Sequence, residues 1–447
     1  MHRKAQVSRE SFRSKWGFIL ACIGSAVGMG NIWRFPNMVS TYGGLTFLLP
    51  YILFVVLIGS TGVIEEMTLG RAAGAGPVGA FGWAAEQRGK RKLGTALGVL
   101  PVLGSMALAI GYSVVMGWII KYTVMAYGGG LSAMGQDMDL IGGTFAVTAD
   151  SWGANLWIIL AVAAAFLIMS FGVARGIETA NKIMMPLLFG LFVVLDIYIA
   201  FLPGAADGYK YIFSFNGSGL ADPKVWIYAF GQAFFSLSIA GNGTVIYGSY
   251  LSRDEDIPFA ARSVSVFDTA AAMLAALAII PAMATSGVQL SAGGPGLMFI
   301  HLVNVFNGIG PMGRFVSILF FTCVLFAGLS SIINLYEAPV AFLQDRLGLR
   351  RVTATLITLA VGCVCALCIQ HITSQWMDVV SIYICPLGAL LAGIFFFWFV
   401  SRQEVLHQVS LGARRPVSAL FYPLGKYVYL LLALAALVAG ALLNGIG

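Results

Sequence analysis

Charge is what this 447-residue chain lacks most: Asp, Glu, Lys and Arg together supply 10% of it, against roughly 25% in an ordinary soluble domain. With 59% of the residues hydrophobic, too little polar surface remains to face water, which excludes a soluble globular domain and places the chain in a bilayer. Histidine is scarce, with four in all, and the six cysteines (Cys22, Cys323, Cys363, Cys365, Cys368, Cys385) all lie in apolar runs. One CxxC occurs within "CVCALC", but a zinc site needs a second pair or histidines at ligand spacing, so these cysteines are read as packing residues. "GAGPVG", Gly74 to Gly79, matches a dinucleotide-binding pattern without the preceding strand that the motif requires, and is read as a loop. No nucleophile–base pair or metal cluster stands near the unusual stretches described below, which argues against an enzyme.

Long apolar sequence is abundant. A helix needs about 20 apolar residues to cross a hydrocarbon core of roughly 30 Å. Eleven runs qualify, near 17–38, 45–70, 95–127, 155–172, 179–202, 224–251, 258–286, 313–343, 350–371, 376–401 and 418–445. The basic stretch "RESFRSK" leads into a run too long for a signal peptide, so none is expected. Of the 26 lysines and arginines, 21 fall in the loops on one side of this arrangement, including Arg3, Lys4, Arg9, Arg13 and Lys15 at the start. By the positive-inside rule the N-terminus is cytoplasmic and, after eleven spans, the C-terminus is outside. The net charge of +7 is therefore a topology signal and not a nucleic-acid patch.

Two spans contain residues that a continuous helix in lipid should avoid. The first run holds "GSAVGMGN", Gly24 to Asn31; the sixth holds "SLSIAGNGT", Ser236 to Thr244. Unwound backbone survives at membrane depth only where it lines a cavity or binds something. Glycine clusters are also common at helix contacts in membranes. These two, however, open successive blocks of five spans, and paired breaks at matching places point to an inverted repeat with a binding site between them. The freed carbonyls and amides can then coordinate an ion and a small charged ligand. "NGT" at Asn242 is a glycosylation sequon that mid-membrane placement makes unusable; Asn216-Gly-Ser lies in an outside loop.

The signature "GSAVGMGNIWRFP" (Gly24 to Pro36), with "GQAFFSLS" (Gly231 to Ser238) and "FAGLSS" (Phe326 to Ser331), closely resembles the neurotransmitter:sodium symporter family, in particular its bacterial amino-acid members. The resemblance implies an all-α integral membrane protein of leucine-transporter-like fold, with helices 1 and 6 unwound at mid-membrane. Residues 1–15 would form a cytoplasmic segment, 16–205 the first five-helix repeat, 223–401 the second, inverted one, and 416–446 the eleventh helix. It implies sodium-coupled uptake of an amino acid by alternating access across the plasma membrane, a bacterial inner membrane being expected. The implied partners are the substrate and the lipid bilayer, with the protein a monomer or weak dimer. Of the implied sodium sites, the first would use the Ala26 carbonyl, Asn31, Ser236 and Asp268. The second would use the carbonyls of Gly24, Val27 and Ala327 with the hydroxyls of Ser330 and Ser331. These are oxygen ligands, as a hard cation requires. The substrate carboxylate would meet the amides of Met29 and Gly30 and the hydroxyl of Tyr112, with Ala26, Gly28, Phe235, Ser236, Ser238 and Gly241 around it. Arg34 with Asp378 would form the outer gate under a Tyr112–Phe235 lid, and Arg9 with Asp345 the inner gate, supported by Ser249, Tyr250 and Glu337.

Three positions refine this expectation. Gly28 stands where amine-carrying relatives have an aspartate, so the ligand should bring its own carboxylate. Counting from "FFSLS" puts Gly241 against the substrate side chain, which favours a bulky neutral or aromatic one; matching the GxG pattern puts Asn242 there, which suits a polar one. Asp268 replaces the usual asparagine about 15 Å into its span, where a bare carboxylate costs roughly 2.5–3.5 kcal/mol that a bound sodium would offset. Other charges within spans are Glu65, Glu66, Asp196 and Glu337. Glu66 matches a family position that holds the inner end of helix 1, while Glu65 and Asp196 are read as snorkelling or loop-paired. Proton coupling through Asp268 and a non-translocating sensor remain as alternatives; a channel would need rings of charge that are missing. Chloride-dependent relatives place a serine where this chain has Ala272, so Asp268 is expected to supply the fixed negative charge instead. Uptake should therefore be unchanged when chloride is replaced by gluconate; a steep loss would refute that role for Asp268.

Overall fold

A computed structural model of the protein describes residues 11–239, 243–285 and 294–446, and among these every regular element is a helix. The spans are α1 (Lys15–Ala26) and α2 (Gly30–Tyr42), which form one bent crossing, then α3 (Leu45–Ala73), α4 (Arg91–Gly128), α5 (Asn155–Ser170) and α6 (Val173–Ala200). The sixth crossing is likewise divided, into α7 (Pro223–Ser236) and α8 (Gly243–Gly248). There follow α9 (Ile257–Thr285), α10 (Gly313–Leu347), α11 (Arg351–Cys368), α12 (Gln370–Phe399) and α13 (Phe421–Leu443). Eight of these helices are long and apolar enough to cross a membrane unaided, and the pair α1–α2 makes a ninth with a 57° bend. The remaining two expected runs are shorter than a full span, α5 because it has 16 residues and the sixth crossing because it is split.

Lipid cannot squeeze helices together by the hydrophobic effect, so contact area and close backbone approach decide the packing. Counterparts five spans apart pack on one another: the third crossing, α4, lies along the eighth, α10, and the fourth, α5, along the ninth, α11. Around them α3 runs against both halves of the sixth crossing, and α9 supports α1 and α2. One close crossing lies between α3 and α8. A Cβ on Gly70 would come within 2.0 Å of the Val245 carbonyl oxygen, and one on Gly248 within 2.3 Å of the Met67 carbonyl oxygen. Each glycine thus lets the other helix's backbone touch its own.

The start of α1 is fixed by capping and by one buried acid. Ser14 caps the helix, its hydroxyl accepting from the Gly17 amide at 3.0 Å. The Glu178 carboxylate of α6 in turn accepts from the Arg13 amide (2.7 Å), the Ser14 hydroxyl (2.9 Å) and the Lys182 ammonium (2.6 Å). On this side of the bundle Phe12 packs edge-on against Tyr247 and Tyr250, and Arg351 makes a bidentate pair with Glu337 at 2.6 and 2.7 Å. Tyr250 donates to the same Glu337 at 2.6 Å.

Glu65 departs from the sequence expectation. It neither snorkels nor pairs with a loop: like Glu66, it is wholly buried. α3 packs against α8, α9 and the helix Pro77–Glu86, which leaves this stretch no route to the surface. Replacing Gly70 with valine should push α3 and α8 apart and lower stability by about 1–3 kcal/mol or more, read as a drop in the thermal unfolding midpoint in detergent.

Candidate functional site: two helix breaks on one cavity

Helix α1 stops because the next residues are poor helix formers; each glycine costs about 1 kcal/mol relative to alanine. The last regular bond is from the Val27 amide to the Ile23 carbonyl (2.7 Å), and Val27 then turns to extended backbone. Asn31 repairs part of the gap, its Oδ1 accepting from the Gly28 amide at 3.2 Å. At the second break Ser238 adopts the left-handed conformation at φ +58°, which costs a non-glycine residue of order 1–3 kcal/mol. Its hydroxyl offsets this by donating to the Ser25 carbonyl of the first break at 2.6 Å. The two breaks are therefore bonded directly to each other.

Beside them lies an acid. Asp268 of α9, 0% exposed, accepts from Asn31 Nδ2 at 2.7 Å on one carboxylate oxygen and from the Ser236 hydroxyl at 2.6 Å on the other. Asn31 Nδ2 also approaches the Asp268 carbonyl and the Ser236 hydroxyl, each at 3.2 Å. The structure thus brings together Asn31, Ser236 and Asp268, and Ala26 lines the same cavity as Asn31 and Ser236. No lysine or arginine forms a salt bridge with this carboxylate among the described residues; what meet it are the Asn31 amide and the Ser236 hydroxyl. Such a cluster offers oxygens to a small hard cation. Among the described residues no group of three His, Cys, Asp or Glu side chains gathers.

A second oxygen-rich region lies across α1. Ser330 and Ser331 of α10 both donate to the Ala327 carbonyl, at 3.0 and 2.8 Å. A Cβ on Gly28 would lie 3.0 Å from Ser331 Oγ, and one on Gly24 3.2 Å from Ser330 Cβ, so α1 and α10 face each other here. Asn181 of α6 joins them. Its Oδ1 has no hydrogen-bond partner and lies 2.0 Å from the position of a Gly24 Cβ.

Between the breaks is a cavity of about 290 Å³. Ala26, Gly28, Met29, Gly30 and Asn31 from the first break line it, with Phe235, Ser236, Ser238 and Gly243 from the second. Tyr112, Leu108, Val115 and Trp118 of α4, Ser331, Asn334 and Leu335 of α10, and Thr373, Met377 and Asp378 of α12 also line it. Nothing stands within 4 Å of a Cβ built on Gly30; of the first amides of α2, that of Asn31 donates to the Gly28 carbonyl at 3.1 Å, and the first amides of a helix, which have no partner within it, suit an anion. Arg34 and Asp378 both line the cavity but make no direct ion pair with each other. Gly241 and Asn242, the rival pocket residues, and Arg9 of the expected inner gate lie outside the described residues; Asp345 is exposed near the end of α10. Sequence reasoning missed Asn181, Gln232 and Asn334, each a buried amide with an unpartnered oxygen; for Gln232 and Asn334 an amide inside an apolar run was the available signal.

Comparison with known proteins agrees with this geometry. The sequence model of the Sodium:neurotransmitter symporter family matches residues 9–134 and 146–439, and the chain belongs to that family of sodium-dependent membrane transporters. It is a transporter and not an enzyme. It is 32% identical, over 424 residues and 92% of each chain, to the uncharacterized sodium-dependent transporter YhdH of Bacillus subtilis (strain 168). It is 29% identical to the mouse sodium-dependent neutral amino acid transporter B(0)AT3 over 306 residues, 62% of this chain and 49% of that one. Among solved structures, MhsT in complex with L-phenylalanine superposes with a TM-score of 0.84 at 33% identity, covering 96% of this chain and 99% of MhsT. The fold is therefore the leucine-transporter-like pair of inverted five-helix repeats with an additional helix.

Removing the Ser236 hydroxyl with Ser236→Ala should leave one Asp268 oxygen without its donor and cost about 1–3 kcal/mol, seen as a lower thermal midpoint in sodium-free buffer.

Proposed function

We propose that the protein takes up a neutral, hydrophobic or aromatic L-amino acid together with sodium by alternating access, without chloride. The observation that carries this reading is that both helix breaks open onto one cavity beside a buried carboxylate. The amides of Met29 and Gly30 and the Tyr112 hydroxyl would hold the substrate carboxylate, and the apolar walls of Leu108, Val115, Trp118, Phe235 and Leu335 would take its side chain. MhsT, with its bound L-phenylalanine, supports an aromatic ligand, and the mouse relative supports a neutral one.

The Ala26 carbonyl, Asn31, Ser236 and Asp268 form the proposed first sodium site. The carbonyls of Gly24, Val27 and Ala327 with Ser330 and Ser331 form the second. At the first site Asp268 provides the negative charge for which other members of the family would need an anion. Two sodium ions moving down roughly 100 mV release about 4.6 kcal/mol, enough to hold a zwitterion at about a thousandfold gradient. In this reading the N-terminus is cytoplasmic, Arg34 and Asp378 close the outer mouth, and Arg9 with Asp345 closes the inner one. Coupling follows if sodium binds the outward-open form better than the inward-open one, since a ligand with equal affinity for both shifts nothing.

Reconstituted protein should accumulate L-phenylalanine under an inward sodium gradient and not under a proton gradient alone; accumulation driven by protons without sodium would overturn the reading. Ser331→Ala should raise the sodium concentration for half-maximal uptake roughly tenfold, the equivalent of about 1.4 kcal/mol.

A further inference from the structure

Two acidic residues lie outside the machinery just described. Glu65 and Glu66 are adjacent on α3, one turn beyond Gly62, and both are 0% exposed. Thr244 of α8 donates its hydroxyl to Glu66 Oε2. Glu65 has nothing equivalent: among the described residues neither of its oxygens has a hydrogen-bond partner, and no salt bridge reaches it. Tyr429 of α13 is an independent third member. Its ring fills the space beside Gly62, where an added Cβ would lie 2.5 Å from Cε2. It is wholly buried, its hydroxyl has no partner, and both glutamates act on it electrostatically.

Among the described residues, the elements packed on this part of α3 bring no counter-charge. Lys426 of α13 rests on the Trp398 ring, and Arg262 of α9 donates to the Pro258 carbonyl. Arg71, further along α3, is committed to the carbonyls of Glu255, Gln408 and Leu411. Glu404 of the helix Arg402–Ser410 accepts from Gln408, Glu86 of Pro77–Glu86 pairs with Arg91, and Tyr247 of α8 faces Glu337 and Tyr250. The titratable groups that face the pair are thus each other and Tyr429.

Two ionised carboxylates cannot share a dry site without a cation, because desolvation and mutual repulsion act in the same direction. The substrate cavity does not reach them, and an ion would need space and several oxygens arranged around it. A proton needs neither. Glu66 already has a donor, so the neutral member of the pair is Glu65.

We propose that Glu65 is a proton-binding site tied to opening of the bundle on its N-terminal side. While that side is closed, the Glu65 carboxyl keeps its proton. When it opens and water reaches the pair, the O–H bond breaks, the proton passes to water on that side and the carboxylate is hydrated; closure takes a proton back from the same medium. Acid on that side therefore favours the closed form and slows turnover. This last consequence rests on the sodium-coupled uptake proposed above; the protonation of Glu65 does not.

The test uses the full-length protein with Glu65→Gln, an isostere of the protonated acid. Infrared spectra of the wild type in sodium-free buffer should contain a protonated-carboxyl stretch, of which a component is lost in E65Q, and E65Q should melt no lower than the wild type. In proteoliposomes, L-phenylalanine uptake by the wild type should slow several-fold as the medium facing the N-terminal side is acidified, whereas E65Q should be slow throughout and lose that dependence. An unchanged infrared band, or an E65Q midpoint well below the wild type, would show that Glu65 is ionised and would overturn the proposal. If no sodium-driven uptake occurs at all, the transport reading fails by itself, and the infrared band and melting point still decide Glu65. Uptake that keeps the wild-type pH dependence in E65Q would remove the link to opening.

Discussion

The bilayer core has no water to accept a stranded amide or carbonyl, and this single constraint explains the centre of the molecule. An interrupted helix in lipid has to find its missing partners within the protein. Here the two interruptions supply them to each other and to themselves: Ser238 donates to the Ser25 carbonyl, and Asn31 accepts from Gly28 while donating to Asp268. Spans five apart also pack on one another, α4 along α10 and α5 along α11.

Much of this was legible in the chain because the informative residues break local rules. Gly28, Gly30 and Asn31 interrupt an apolar run, and Asp268 is a lone carboxylate near the middle of another; each is conspicuous in one dimension. That the two breaks open onto one cavity followed from their matching positions in two blocks of five spans. What stayed hidden depends on distant partners. Asn181 sits only four residues from Ile177, to whose carbonyl it is bonded, and nothing local says that its free oxygen faces Gly24, more than 150 positions earlier. Glu65 looked like a residue with a route to the surface, because burial by α8, α9 and a short connecting helix cannot be read from α3 itself.

Two acids with the same complete burial illustrate how environment separates chemical roles. Asp268 is met by an amide and a hydroxyl, donors that stabilise an ionised carboxylate. Glu65 meets no donor among the described residues. Burial alone would treat them alike; the count of hydrogen bonds tells them apart.

Glu178 has a consequence of a different kind. One carboxylate gathers a main-chain amide, a hydroxyl and an ammonium at the foot of α1, and all three bonds depend on the same two oxygens. They cannot be undone one after another at small cost, because losing the first strips solvation from a charge that is still enclosed. The foot of α1 should consequently behave as a latch with two positions, seated or detached, and intermediate degrees of loosening should be sparsely populated.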